Sequence, residues 1–471
     1  MLGVPAVVAA IVGCGDDLYD PFTQLVRVSG HSPLDTGCTA GQEGMNFGSV
    51  EVEPSVAVDP THPEHLVGVW QQDRWSNGGA SGIGAAASFD GGATWAASTP
   101  RFGRCSGGTA ANGADHDRAT DPWVAITADG TVFQVALVFD STSPRNALVA
   151  SRSSDGGLTW SDPTVLRADN DPDVFNDKDA LTADPTDPGR VYAVWDRLTG
   201  LTHPTDPSAT GPTWFARTTA GVWEPARAIF DPGSNAQTIG NVIAILPDGM
   251  LIDAFDLITN ASSNAPIHML AVIRSADHGL TWSAATVISP MMRGVGVQDP
   301  NNHVVIRSGT DLPQIAVDRT RGTIYLVWQD APSADSPAAV LLVSSIDGGV
   351  SWSPPSLVNG AREAAAFTPS VAVAADGTVG VTYYDVRDAR RTDPDTFRVT
   401  PWLATSRDRG QTWSDEALSQ PFDLRPALLQ NFYFLGDYQG LVAVGNEFVP
   451  FFVAANQDDG NRTDVFVRTA K

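Results

Sequence analysis

Lysine is almost absent from this chain. Only Lys178 and Lys471 occur among 471 residues, so nearly all of the 29 positive charges are arginine, set against 54 Asp and Glu for a net charge of −25. So acidic a chain repels phosphate backbones and anionic lipid surfaces, which argues against a nucleic-acid partner. Cysteine is scarce as well, with Cys14, Cys38 and Cys105 alone. No HExxH, CxxC, Walker-type loop or GxSxG elbow is present, and the eight histidines are scattered, so the common metallohydrolase, redox, NTPase and serine-hydrolase signatures are all missing. The apolar N-terminal run, LGVPAVVAAIVGC, is too short to cross a bilayer, and no later stretch is apolar enough.

Turn formers, by contrast, are plentiful. Gly at 44 positions and Pro at 33, with 42% hydrophobic and 18% charged residues, describe a folded chain rich in turns. One phrase recurs five times: SFDGGATW from Ser88, SSDGGLTW from Ser153, SADHGLTW from Ser275, SIDGGVSW from Ser345 and SRDRGQTW from Ser406. A sixth copy has decayed near residue 215, where WFARTTAGVW keeps Gly221 and Trp223 but has lost the Asp. Around each copy the pattern predicts four strands: an apolar first strand (PSVAVD from Pro54, PSVAVA from Pro369), an Asp/Gly/Pro turn, a second strand (LVGVW, IYLVW), a third leading into the phrase and a short fourth leaving it. Four antiparallel strands repeated radially make a β-propeller. A seventh unit without the phrase is expected from GDYQGLVAVG, FVPFFVAA and DVFVRTA, with QLVRVSG from Gln24 as its fourth strand. The expectation is therefore an all-β, seven-bladed propeller over residues 46–471, with six blades if the last segment only caps the ring, preceded by an N-terminal segment at 14–45.

In S-x-D-x-G-x-T/S-W the Gly permits a tight turn, the Asp and hydroxyls bond turn amides, and the Trp packs between blades. Asp90, Asp155, Asp277, Asp347 and Asp408, with Trp95, Trp160, Trp282, Trp352 and Trp413, are thus read as structural. The phrases resemble the Asp-boxes (BNR repeats) of sialidases and related propellers, and NDKDALTAD, TYYDVRD and FLGDYQG resemble a bacterial group of secreted sialidase-like proteins. Residues 1–13 similarly resemble a lipoprotein signal with Cys14 as the lipidation site, which implies a secreted or lipid-anchored protein of the bacterial envelope. In such a compartment Cys38 and Cys105 are free to pair, though spacing does not establish the bridge.

Up-and-down connectivity puts the boxes on one face and the ends of second strands, with the starts of first strands, on the other. The candidate site lies on that second face, where Asp73, Arg74, Asp140, Asp196, Arg197, Asp256, Asp330, Asp385 and Arg387 end second strands and Glu53, Asp121, Asp177, Lys178, Asp179, Asp311, Asp437 and Tyr438 precede first strands. The resemblance implies a glycoside hydrolase acting on terminal sugars, in its narrowest form an exo-α-sialidase. Arg74, Arg197 and Arg387 would then clamp the substrate carboxylate, supported by Asp385 and Lys178, with Tyr438 (or Tyr383 or Tyr384) attacking, Glu53 assisting and Asp73 or Asp121 as acid/base. The Arg-Ile-Pro motif of sialidases is absent. The alternative is a noncatalytic propeller that binds glycan or protein at the same mouth. Lys178, flanked by Asp177 and Asp179, also reads as a latch between blades. Acidic loops at DNDPDVFND (from Asp169) and NQDDGNRTD (from Asn456) offer the oxygen ligands calcium prefers, without EF-hand spacing, and are read as solvated loops. No cofactor is expected, and the chain is taken as a monomer with a glycan substrate or ligand.

Overall fold

In a computed structural model the described residues are 25–39, 42–202, 208–292, 296–458 and 460–469. Cys14 and the whole of 1–13 lie outside them. The protein is all-β: the described residues hold no α-helix, only three short 3-10 turns. Among the described residues seven antiparallel strand units follow one another, with first strands Glu51–Val58, Arg118–Ile126, Val174–Ala183, Ala236–Ile245, Gln314–Val317, Ala366–Val373 and Gly440–Val444. Each first strand packs beside that of the next unit, and the seventh packs beside the first. The seventh unit gains its outermost strand from the N-terminal segment, where Val26 pairs with Val467 and Arg27 with Phe466.

Packing between units follows from the apolar alternation of the strands. Trp195, Trp328, Tyr325 and Tyr383 are fully buried, and truncating one such aromatic typically costs about 3–5 kcal/mol. A small extra sheet, Val297–Gln298, Val305–Arg307, Phe432–Phe434 and Leu428–Leu429, lies outside the repeat. It was not foreseen, because its segments have no counterpart in the other units.

One local device aims side chains at the site. Five first strands slip register near their start, between Val52 and Ser55, Thr120 and Trp123, Asp177 and Ala180, Ile239 and Val242, and Phe367 and Ser370. At each bulge one residue has left-handed φ: Glu53 (55°), Asp121 (51°), Lys178 (47°), Gly240 (71°) and Thr368 (50°). Proline follows in three cases, Pro54, Pro122 and Pro369, at the position where the bulge leaves the ladder and no N–H is needed. A non-glycine residue in this conformation costs about 1–3 kcal/mol, so four of the five positions carry strain.

Candidate active site at the charged end of the repeat

Glu53, Asp121 and Lys178 stand at equivalent bulges in three successive units. Lys178 Nζ donates to Asp121 Oδ1 and to Asp437 Oδ2, each at 2.8 Å, and lies 3.5 Å from Glu53 Oε1. Asp437, from the turn entering the seventh unit, also receives a two-pronged fork from Arg307, with Nε on Oδ1 at 2.9 Å and Nη2 on Oδ2. Lys178 thus contacts acidic side chains of the first, second and seventh units from the third. Above it a cavity of about 320 Å³ is lined by Asp177, Lys178, Arg307, Thr310, Asp311 and Asp437 among others. Below it a space of about 20 Å³, room for one water, is lined by Trp123, Lys178, Asp179 and Tyr438.

Proton affinities within the cluster are driven apart. Burial, only partly offset by Lys178, pushes Glu53 up to about 8, and burial likewise pushes Asp177 up to about 6. Burial also acts on Asp437, but Lys178 and Arg307 outweigh it and hold its carboxyl well below the usual range. Asp179 has no partner for either oxygen, and burial raises it well above the ordinary value. The Lys178 amine resists burial because Asp121, Asp437 and Glu53 surround it, and it stays charged. One carboxyl retaining its proton near neutrality beside another that is always ionised is the arrangement that separates an acid from a base.

The remaining expected residues are distributed as follows. Tyr438 is buried against Trp123, ring centroids 5.2 Å apart, and its hydroxyl donates to the Pro122 carbonyl at 3.2 Å. Burial, with Glu53 and Asp121 nearby, raises the phenol well above its ordinary value and opposes the phenolate. Tyr383 donates to Asp415 at 2.9 Å and Tyr384 to the Val453 carbonyl at 2.8 Å. Asp73 accepts from the Ser49 amide at 2.8 Å and the Ser32 hydroxyl at 2.7 Å, holding the N-terminal loop. Arg74 joins the mouth cluster through Gln71, which it meets at 2.6 Å and which donates in turn to Glu53. Its guanidinium lies over Phe434 at 4.8 Å, and Arg307 lies over the same ring at 5.0 Å. Arg197 forks onto Asp169 and covers Trp214. Arg387 binds Asp385 at 2.5 Å, approaches Asp415 and stacks on Trp402 at 3.6 Å. Arg74, Arg197 and Arg387 therefore end on three separate sets of partners. Arg307 was missed by sequence reasoning because it sits in the segment without a repeat counterpart.

Asp169 of the first acidic loop receives Arg167, Arg197 and Asn176, and Asp464 of the second receives Asn456 and Asn461. Among the described residues one group, Asp256, His268 and Asp311, brings three potential ligand atoms within 4.8 Å of one another, and Asp256 Oδ2 and His268 Nδ1 already meet at 2.5 Å. Cys38 and Cys105 form a disulfide.

The boxes form the opposite face and repeat one geometry. In the first, Ser88 Oγ donates to Asp90 Oδ1 at 2.8 Å and accepts the Gly92 amide at 2.8 Å, while Thr94 gives its amide and hydroxyl to Asp90 at 2.8 and 2.6 Å. The other four reproduce it around Asp155, Asp277, Asp347 and Asp408. Trp95 packs on Phe451 of the seventh unit and Trp282 on Phe215 of the third, each bridging to the preceding unit. In the decayed box Glu224 replaces the missing Asp, binding Arg217 at 2.9 Å and Thr219 at 2.6 Å.

No family model matches the chain. A xyloglucanase from a Paenibacillus species is 27% identical over 246 residues, 48% of this chain, which spans only 21% of that protein's length. Among solved structures a Hadza microbial sialidase is similar at 17% identity and TM-score 0.47, over 75% of this chain and 66% of that one. An α-L-arabinanase of Penicillium chrysogenum is similar at 12% identity and TM-score 0.46, over 95% and 98%. Five boxes of one geometry, together with the likeness to the xyloglucanase, bear out the resemblance to the sialidase-like Asp-box repeat proteins.

Proposed function

We propose that the chain is a closed seven-bladed propeller that works outside the cytoplasm, as a monomer, hydrolysing terminal sugars of glycans at the cavity above Lys178. Ring closure is supported by the packing of the seventh first strand against the first, and an extracytoplasmic setting by the Cys38–Cys105 disulfide. The likeness to a xyloglucanase supports a glycan substrate. The observation that carries the reading is the opposed pair at the cavity: Asp177, raised to about 6, suits a proton donor near neutrality, and Asp437, held ionised, suits the charge-stabilising partner. Raised Glu53 behind them is a second proton store.

The narrower form, an exo-α-sialidase in which Tyr438 attacks with Glu53 as helper and Arg74, Arg197 and Arg387 clamp the acid, requires Tyr438 to leave the Pro122 carbonyl and two arginines to leave Asp169 and Asp385. A second reading, glycan binding without turnover, is favoured by the ion pairs that already satisfy Lys178.

The test is release of free sugar from a mixed panel of neutral and sialylated glycans by the protein beginning after Cys14. Release abolished by Asp177→Asn and by Asp437→Asn supports the carboxyl pair. Release of sialic acid that disappears in Arg387→Ala selects the sialidase form, and binding without release selects the second reading.

A further inference from the structure

We infer that the mouth cavity selects an uncharged sugar and rejects a carboxylate- or sulfate-bearing one; the inference rests on the glycan site proposed above. Five ionisable groups line the cavity, Asp177, Lys178, Arg307, Asp311 and Asp437, three acidic against two basic. Both cations are already engaged. Lys178 carries three N–H donors, and carboxylates of Asp121, Asp437 and Glu53 stand around it at 2.8, 2.8 and 3.5 Å. Arg307 gives the two-pronged edge that would fit a substrate carboxylate to Asp437 instead. The arginines expected to clamp an acid are committed elsewhere, Arg197 to Asp169 and Arg387 to Asp385. Arg74 is buried behind Gln71 and Phe434 rather than in the lining.

An anionic sugar would therefore meet Asp311 at the rim, and to win the two-pronged edge of Arg307 or a close contact from Lys178 it would have to displace a resident carboxylate that is covalently part of the site. Like charges about 6 Å apart at an effective dielectric near 20 repel by roughly 3 kcal/mol, more than a hundredfold in binding. Salt and water at the half-open mouth reduce this, so a discrimination of at least tenfold is expected. Hydroxyl groups face no such penalty, since they donate to Asp177 or Asp311 and accept from the remaining N–H groups of Arg307.

The experiment compares matched pairs, lactose with 3′-sialyllactose and a glucose-containing disaccharide with its glucuronic acid counterpart, by calorimetric titration and by sugar release, at 20 and 500 mM NaCl. The uncharged member should bind at least tenfold more tightly at low salt, and the gap should narrow at high salt as repulsion is screened. Asp311→Asn should narrow it at low salt too, and Thr310→Trp, which fills the cavity, should remove binding from a protein of unchanged melting temperature. Tighter binding of the acidic member, weakening with salt, overturns the inference while leaving the hydrolase reading intact. Neutral binding without release keeps the inference and ends that reading. Absence of binding by either member of both pairs overturns both.

Discussion

The two faces of the molecule use aspartate in opposite ways. On the box face one carboxylate recurs in five units, in the open, accepting the same three hydrogen bonds. Thr94 and Ser88 lower Asp90 to about 2, and the same contacts set Asp155, Asp277 and Asp408 to about 2. At the mouth the equivalent bulge position carries Glu53, Asp121, Lys178, Gly240 and Thr368, a different residue each time, and burial pushes Glu53 and the neighbouring Asp177 upward. A feature that serves the fold is needed in every unit, whereas chemistry is needed once. In a repeat protein the site is found where identity breaks while backbone geometry holds. The comparison breaks most readily at Lys178. Replacing it by Met leaves Asp121 and Glu53 buried without their cation and Asp437 with Arg307 alone, so stability at pH 7 should fall by about 3–5 kcal/mol. The loss should shrink at pH 5, where the carboxyls can take up protons. An unchanged melting temperature at pH 7 would show that the cluster is no latch.

The second effect is a slope with pH. Glu53 and Asp196, pushed up by burial to about 8, and Asp177 and Asp256, to about 6, hold protons in the folded chain that the unfolded chain releases near pH 4. The folded state then binds more protons between those values, so stability falls as pH rises from about 4 to 8. Asp437 and the box carboxylates act with the other sign, stabilising above pH 4 and losing that contribution as pH falls toward 2. The titration of Lys178 itself adds no slope in this range, since its amine stays charged. The melting temperature should peak between about pH 4 and 5. Asp253, fully buried and with a carboxyl that burial raises far above normal, sharpens the test. Asp253→Asn should raise the melting temperature at pH 8 and leave it nearly unchanged at pH 4.5. A profile flat from pH 4 to 8 in the parent protein would contradict the buried-acid account.

Much of this architecture is legible in the residues, because box spacing and alternating strands are local signals that repeat. The first strand after Tyr438 and the strand near Gln24 could be read for the same reason. The site was half legible. Counting to strand ends put Glu53, Asp121, Lys178 and Asp437 on one face, where the structure clusters them, but did not give the direction of each side chain. A strand alternates sides at every residue, and a bulge inserts one that shifts the alternation. Arg197 pairs in register with Asn176, and both bond Asp169 at the edge of the second unit, while its neighbour Asp196 turns to Thr238 and Asn241 of the fourth. Arg387 lies beyond the end of its strand, where no alternation applies. Arg307 required knowing that Val305–Arg307 pairs with Phe432–Phe434, a contact between distant segments with no periodic signature.

The smallest effect belongs to a single box. Asp155→Asn keeps the shape of the turn but loses one charge-assisted acceptor for the Thr159 amide and hydroxyl, at 2.9 and 2.5 Å, and for the Ser153 hydroxyl at 2.6 Å. The group is exposed, so water replaces most of what is lost. The melting temperature should fall by no more than a few degrees, with sugar binding and release unaltered. Because four other boxes keep their bonds, the loss should be much the same whether Asp155, Asp277 or Asp408 is changed, whereas Glu53, Asp121 and Lys178 should each give a different result. Unequal box effects, or a box substitution that alters the ligand, would mean that the repeated phrase carries more than the fold and that the division between the two faces is drawn in the wrong place.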